Sequence, residues 1–483
     1  MTNPILPGFH PDPTWCRVGD HYFMATSTFT WLPGVPIYRS SDRETWTQIG
    51  HALDRESQFS LDGTEAWASF GVFAPTLRYH GGRFWLITTS VSLSGTKSFL
   101  VTAEDPAGPW SDPVWIGIEG IDPDIAWDEF GNCWVHYSGI GTGIMRCRIN
   151  DDDGRVLDEP VPTWSGSGLQ HPEAPHLYRI GGTWYLLIAE GGTGTGHCVS
   201  IARGPSPEGP WEPCPANPIL SHRSTDHPIQ NTGHADLVAD GTGQCWMALL
   251  GVRSKGSPAG FHVLGRESFL TTVTWENGWP VVTSPNLDSP QPSYEFVDAF
   301  ADDRLNLGWI SRRRYPADVA DLAARPGSLT LTADDTDLGS PRPAFVGRRQ
   351  QHPFCTVETE VDLLAGGEAG VAVVYDEQAY CRIGVDAGTV FAIALIGGMQ
   401  VELGRCPRTD GPSKLRVRIV EAGAGPDQLE LGWLDSDGEF GLLGSLDGRY
   451  LSAEVSGGFL GRVIGLYAAN GRAAFDHFRY AAL

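Results

Sequence analysis

Along the first half of the chain the apolar residues fall in short runs. Five of these runs open on a Tyr or Trp placed three residues after a glycine: Gly19 to Tyr22, Gly82 to Trp85, Gly131 to Trp134, Gly182 to Tyr185 and Gly243 to Trp246. Successive glycines lie 63, 49, 51 and 61 residues apart. A glycine just ahead of such a run marks the hairpin turn that follows a short strand. The recurrence predicts five similar antiparallel units in succession, which is the sequence pattern of a five-bladed β-propeller.

The same spacing predicts where chemistry gathers. Nine residues before the glycine stand Phe73, Asp122, Glu173 and His234; in the first unit, where the turn is shorter, Asp12 stands seven residues before Gly19. If the strand upstream of each glycine is the innermost of its blade, these five side chains ring a central channel at one depth. Three carboxylates, a histidine and an aromatic would then converge on one pocket.

From Tyr294 onward the pattern changes. Segments such as SLTLTA (328–333), TVETEVDL (356–363), AGVAVVY (369–375) and KLRVRIV (414–420) alternate apolar and polar residues between Gly, Asp and Pro turns. Strands covered on one side read this way, and many short ones predict a β-sandwich. At 483 residues the chain exceeds the usual size of one core. Fifteen of the 17 tryptophans lie at or before Trp279, and a Pro/Ser-rich stretch from Ser284 to Ser293 follows, too dense in proline for a central strand. The expected organisation is all-β, with a propeller over residues 1–285, a linker, and a sandwich over residues 294–483 that is either a structural partner or a sugar-binding module.

A formal charge of −24 excludes nucleic acid and anionic membranes as expected partners, since both are bound through clustered Lys and Arg. A neutral partner fits better. There is no apolar run of about 18 residues that would span a membrane. The start, MTNPILPGFHPDP, lacks the basic and apolar regions of a signal peptide. The expectation is a cytoplasmic protein, and the composition is compatible with a homo-oligomer. Nine scattered cysteines without a CxxC pair read as reduced core thiols.

Each candidate residue has an ordinary reading as well. Asp12, in His10-Pro11-Asp12-Pro13, resembles a turn residue capping its own backbone; its place in the ring favours the pocket. Asp122 competes with Asp124, which would share its face of a regular strand, and only Asp122 matches the nine-residue offset. Glu173 competes with Glu190 as the acid, and the offset again selects Glu173. His234 could be an ordinary core histidine. With no HExxH pair and no Cys/His cluster, zinc is not expected. A calcium ion held mostly by water beside His234 is compatible with the channel.

Three carboxylates amid aromatic rings suit glycosidic bond cleavage, in which one carboxylic acid protonates the leaving oxygen and one carboxylate activates water. A further negative charge beside the acid raises its pKa and keeps it protonated. Phe29, Trp31 and Phe73 could stack on a sugar ring.

Ordered motifs point the same way. NPILPGFHPDPT, ATSTFTWLPGVPIYRSSD, GVFAPTLRYH, PEAPHLY, LIAEGGT, TGHADLV and GRESFLTTVTWENGWPVV resemble those of glycoside hydrolase family 43 enzymes of the β-xylosidase and α-L-arabinofuranosidase type. SPRPAFVGRRQQH, from Ser340 to His352, resembles a segment of their C-terminal concanavalin A-like sandwich. The resemblance implies a five-bladed propeller and an inverting mechanism, with Asp12 as general base, Glu173 as general acid and Asp122 orienting the acid and raising its pKa. It also implies that Arg266 contacts substrate, that Phe29 lines the sugar subsite, and that Phe459 sits where relatives send a sandwich aromatic toward the pocket mouth. Phe73 departs from the Trp that relatives often carry in a WAP segment. The expected activity is exo-acting release of xylose from short xylo-oligosaccharides, with α-L-arabinofuranosidase or dual activity as the alternative. A non-catalytic sugar-binding propeller would lack at least one of the three carboxylates.

Overall fold

In the computed structural model, which describes residues 2–61, 63–257, 260–287 and 293–483, all five repeat glycines are left-handed. Their φ values are 60°, 85°, 80°, 86° and 88° for Gly19, Gly82, Gly131, Gly182 and Gly243. Only glycine takes this conformation without steric cost, so each marks a tight turn between two strands.

Each turn sits between the first two strands of an antiparallel meander. The first runs Thr14–Val18, His21–Ala25, Gly34–Ser40, Thr47–Leu53. In the second, Gly71–Val72 and Thr76–His80 both pair with Arg83–Ser92, followed by Gly95–Ala103 and Val114–Ile116. The third runs Gly120–Trp127, Cys133–Gly139, Gly143–Ile149, Val161–Trp164. The fourth runs Glu173–Ile180, Thr183–Glu190, Cys198–Gly204, Glu212–Pro213, and the fifth Gln230–Ala239, Cys245–Val252, Glu267–Glu276, Trp279–Val282. The first strands of successive meanders touch one another in order, and the fifth touches the first.

Apolar cores lie between neighbouring sheets. Trp85, Ile87 and Leu100 of the second sheet pack with Ile125, Val135 and Cys147 of the third. Ile144 of the third packs with Leu177, Trp184 and Leu186 of the fourth; Leu187 and Ile201 meet Leu237, Met247 and Phe269 of the fifth; and Ala248 and Leu270 of the fifth meet Trp15, Tyr22 and Met24 of the first. Each such side chain contributes about 1.5–3 kcal/mol on burial. The residues before the first strand join the ends of the series: Asn3 exchanges hydrogen bonds with the backbone of Leu270, and Ile5 N–H donates to the Ser268 carbonyl.

The chain divides into two units, one of Met1–Thr30, Gly34–Arg253 and Arg266–Pro290, the other of Trp31–Pro33, Ser254–Gly265 and Gln291–Leu483. Two short segments inside the span expected to be all propeller thus belong to the second unit. Trp31 and Leu32 pair with Arg312 and Ser311, and the 254–265 segment is held by Ser257 N–H to the Ala424 carbonyl, Arg462 N–H to the Val263 carbonyl and an ion pair of His262 with Glu454. Backbone pairing between segments distant in sequence leaves no local mark on composition. Of the expected linker, residues 288–292 lie outside the described residues.

The second unit contains two large antiparallel sheets. One orders Ala320–Asp321, Leu329–Ala333, Gly471–Ala482, Cys355–Ala365, Ser413–Val420, Gln428–Leu434 and Phe440–Asp447; the other orders Ala344–Arg349, Val463–Ala469, Glu368–Val374, Ala379–Val385, Thr389–Ile396 and Met399–Pro407. The four alternating segments read from the sequence all fall on these strands. Alternate residues of Cys355–Ala365 and Ser413–Val420 are buried, as one covered face requires. Among the described residues the only α-helix is Ala453–Ser456, and no helix is long and apolar enough to cross a membrane. All nine cysteines are free and eight are buried.

Candidate active site

The first strand of three meanders breaks register: between Ile121 and Asp124 in the third, between Glu173 and His176 in the fourth, and in the fifth both between Gln230 and Gly233 and between Gly233 and Asp236. At these breaks Asp122, Ala174 and His234 have φ of 53°, 51° and 46°, and Asp12, just ahead of its strand, has 56°. In the second meander the strand is interrupted at Phe73, between Gly71–Val72 and Thr76–His80. A left-handed non-glycine residue costs about 1–3 kcal/mol and persists only where its surroundings enforce it. A bulge re-aims the side chain it carries. Here the left-handed residue is the one that the spacing from the glycine singles out at Asp122 and His234, and is the neighbour of that residue, Ala174, at Glu173.

Asp12 is buried and held on both oxygens. Ser27 Oγ donates to Oδ2 at 2.5 Å, and Arg266 donates to Oδ1 at 3.0 Å. His234 Nδ1 lies 3.4 Å from Oδ1. Burial by itself would raise this carboxyl, but the Arg266 guanidinium, with smaller contributions from His234 and Ser27, outweighs it and keeps the group below the usual aspartate value. Arg266 also donates to Thr193 Oγ1 at 3.2 Å and lies 5.4 Å from the centre of the Phe29 ring, which in turn meets Phe73 at 4.9 Å. Burial pushes His234 down to about 3, so its imidazole is neutral.

Glu173 and Asp122 behave in the opposite sense. Burial, followed by the charge of Asp12, pushes Glu173 up to about 7 against the pull of Arg266. Burial, followed by the charges of Glu173 and Asp12, drives Asp122 well above the usual aspartate value, and the Ala174 N–H it accepts offsets this only in part. That hydrogen bond ties Asp122 to the left-handed residue next to Glu173. In the structure Asp12 supplies charge that raises both groups, and the Asp122–Glu173 pair retains protons because two buried carboxylates side by side cannot both ionise readily. One buried carboxylate held ionised beside two held toward neutrality is the acid–base asymmetry that glycoside cleavage needs.

Residues 1–280 match the Glycosyl hydrolases family 43, and residues 297–481 match the Beta xylosidase C-terminal Concanavalin A-like domain. The chain belongs to glycosyl hydrolase family 43. It is 36% identical to a non-reducing end alpha-L-arabinofuranosidase of Bacteroides ovatus, over 100% of this chain and 94% of that one. It is 34% identical to a xylosidase/arabinosidase of Butyrivibrio fibrisolvens, over 99% and 97%. A crystal structure of xylan beta-1,4-xylosidase from Bacillus halodurans superposes with a TM-score of 0.91 at 30% identity, covering 100% of each chain. The protein is therefore a glycoside hydrolase with a β-propeller and a C-terminal concanavalin A-like sandwich.

Within this family 43 chain the rival residues have other tasks. Asp124, two places after Asp122, accepts from Arg78 at 2.8 Å and from the Leu177 N–H at 2.9 Å. Arg78 also donates to Asp236 at 2.8 Å, and Asp236 accepts from Thr14, the Trp15 N–H and the Tyr178 hydroxyl. His176 Nδ1 lies 2.9 Å from Arg78 and 3.1 Å from Asp124. Thr14, Arg78, Asp124, Tyr178 and Asp236 come from the first strands of all five sheets, so this buried cluster joins them. Glu190, the rival acid, accepts from the Ser167 N–H and hydroxyl at 2.7 and 2.6 Å and holds that loop.

The structure thus brings Asp12, Asp122, Glu173, His234, Arg266, Phe29 and Phe73 together. Trp31 belongs to the second unit, where it is fully buried with its ring 6.1 Å from Phe345. Phe459, in the same unit, follows the short helix Ala453–Ser456 and is partly buried. Sequence reasoning missed Ser27, Thr193, His197 and the Arg78 cluster. Ser27 and Thr193 lie in the family-like motifs ATSTF and EGGT, but no offset singles them out. Among the described residues no group of three His, Cys, Asp or Glu side chains is disposed to hold a metal ion. His234 stands beside Asp12, where an ion held mostly by water would need few protein ligands.

Proposed function

We propose that the chain is an inverting, exo-acting β-xylosidase that releases xylose from short xylo-oligosaccharides, working at the centre of a five-bladed propeller formed by its five meanders. The observation that carries this reading is the division of charge across one site: Asp12 ionised against Arg266, Glu173 protonated up to about 7. In this reading Asp12 draws a proton from water as it attacks the anomeric carbon, and Glu173 protonates the departing oxygen. Asp122 orients the acid through the Ala174 backbone. Arg266, Phe29 and Phe73 border the sugar. No step passes through a metal ion.

Release of α-L-arabinofuranose is the second reading, favoured by the names of the two relatives above. Initial rates on nitrophenyl β-xyloside and nitrophenyl α-arabinofuranoside, measured in parallel, decide between them. A rate on the arabinoside that matches or exceeds that on the xyloside moves the assignment to the second reading or to dual activity. Inversion is read by proton NMR of the first sugar freed from a β-xyloside. It is expected as the α anomer before mutarotation, because a base–acid pair in an inverting enzyme accommodates a water, at about 6.5–9.5 Å, where a retaining pair stands at about 5–5.5 Å. First appearance of β-xylose overturns it.

The pH dependence follows from the same two groups. Activity needs Glu173 protonated, so kcat/KM should fall as pH rises through about 7. It needs Asp12 ionised, and since that carboxyl is held low, the acid limb should lie below the ordinary aspartate value of about 3.9. A profile with its alkaline limb near pH 5 would remove Glu173 from the role of acid.

A further inference from the structure

His197, just ahead of the strand Cys198–Gly204, takes neither of the proton transfers assigned to Asp12 and Glu173. Its ring is almost completely buried. Nδ1 lies 3.0 Å from the carbonyl oxygen of Asn231. A carbonyl only accepts, so Nδ1 carries the hydrogen and the neutral ring presents a lone pair at Nε2. Nε2 is buried, has no hydrogen-bond partner among the described residues, and lies 3.7 Å from Oε1 of Glu173. A buried acceptor left unmatched costs about 1–3 kcal/mol unless a donor reaches it.

The surroundings hold the ring in this place. Residue 233 is glycine where a Cβ would stand 2.3 Å from Cε1 of His197 and 2.5 Å from either ring nitrogen. Asn231, whose carbonyl fixes the tautomer, has φ of 55°. Burial keeps the imidazole neutral, pulling its pKa down to about 4; Arg266 pulls the same way, and the Asn231 carbonyl and Asp12 oppose it. The chain therefore aims a lone pair, and not a cation, at the proposed acid.

We propose that His197 is a positioning residue for Glu173, with Nε2 accepting the hydrogen of the protonated carboxyl at Oε1. The inference rests on the reading of Glu173 as general acid. A movement of about 1 Å brings the pair within the usual reach of about 2.6–3.2 Å, and such bonds are often long before substrate arrives. The contact fixes the carboxyl plane. It also disfavours the carboxylate, whose charge would face a lone pair, so the proton stays until the departing glycosidic oxygen, a stronger base, takes it. Asp12, Arg266 and Asp122 are the other groups acting on Glu173.

Two variants test this beside Glu173→Ala. His197→Phe keeps a planar ring and removes the lone pair. Its kcat is expected to fall about 10- to 100-fold on xylobiose, a share of the ~10²–10⁴-fold supplied by general acid catalysis. On 2,4-dinitrophenyl β-xyloside, whose leaving group needs no proton, it should change by less than about threefold. His197→Gln can turn an amide N–H toward the carboxylate, which favours ionisation, so the alkaline limb of its kcat/KM profile should move about one pH unit lower. Equal loss on both substrates, no loss on either, or an unmoved limb in His197→Gln overturns the proposal. If Glu173→Ala also loses equally on both substrates, the assignment of the acid has failed. If Glu173→Ala discriminates between them and His197→Phe does not, only the role of His197 has.

Discussion

Replacement of Asp12 by Ala is expected to lower turnover of xylobiose by at least the ~10²–10⁴-fold attributable to one proton-transfer group, and no change of leaving group should restore it. Water must be deprotonated as it attacks whatever departs, and Arg266 cannot take that part because a guanidinium stays charged. Glu173→Ala should lose a similar factor on xylobiose and regain most of it on 2,4-dinitrophenyl β-xyloside. The contrast between the variants is more diagnostic than either loss. An Asp12 variant that recovered with the better leaving group, or a Glu173 variant that did not, would exchange or cancel the two roles. Arg266 complicates the first result, since without Asp12 it becomes a buried cation lacking its 3.0 Å partner. Asp12→Asn, which keeps the shape, should therefore be measured alongside, with the thermal midpoint of each variant.

The largest effect on stability is expected away from the reacting groups, at Arg78. It bridges Asp124 and Asp236, both fully buried, with a 2.8 Å contact to each. Removing one partner of a buried ionic cluster strands the rest and typically costs about 3–5 kcal/mol. Arg78→Met should lose about that much in urea unfolding followed by tryptophan fluorescence. Arg78→Lys should not rescue it, because one ammonium cannot reproduce the fork that serves both carboxylates. The pH dependence has a definite sign. In the native protein Asp236 is held down to about 2: burial opposes this, and Arg78 is the strongest of the groups that outweigh it. Its contribution is present above the unfolded aspartate value, about 3.9, and is lost as pH falls through about 2. In the variant an unpaired buried carboxylate has its pKa raised, so stability recovers as pH falls and the difference from the native protein narrows. A difference constant from pH 8 to pH 5 would mean that lost packing, and not charge, dominates.

How far the sequence could be read depended on whether a feature is local. The glycine-to-aromatic spacing is local, because a left-handed turn residue and the aromatic packed beyond it belong to one hairpin, and it located the five meanders. The alternation in segments such as TVETEVDL and KLRVRIV located strands of the sandwich for the same reason, since a covered face imposes a period of two. The nine-residue offset reached Phe73, Asp122, Glu173 and His234 because the first strands of the second to fifth meanders break or bulge at that distance from their turns or within one residue of it. That regularity also separated Asp122 from Asp124, although only the coordinates show what Asp124 does. The protonation states came from the assembled site. Asp12 is low because Arg266, with His234 and Ser27, outweighs burial, and Glu173 is high because burial and the charge of Asp12 outweigh Arg266; these groups meet in space although Asp12 and Arg266 lie 254 residues apart in the chain. His197, Thr193 and the Arg78 cluster were illegible for the same reason, since their partners lie on other strands or other sheets. The transfer of Trp31–Pro33 and Ser254–Gly265 to the second unit follows from backbone pairing at long range. A single chain therefore reveals its turns, its strand faces and the residues placed at fixed distances from them. Which of those residues hold a charge, lose one, or serve only to join strands is settled by neighbours that meet when the sheets close on one another.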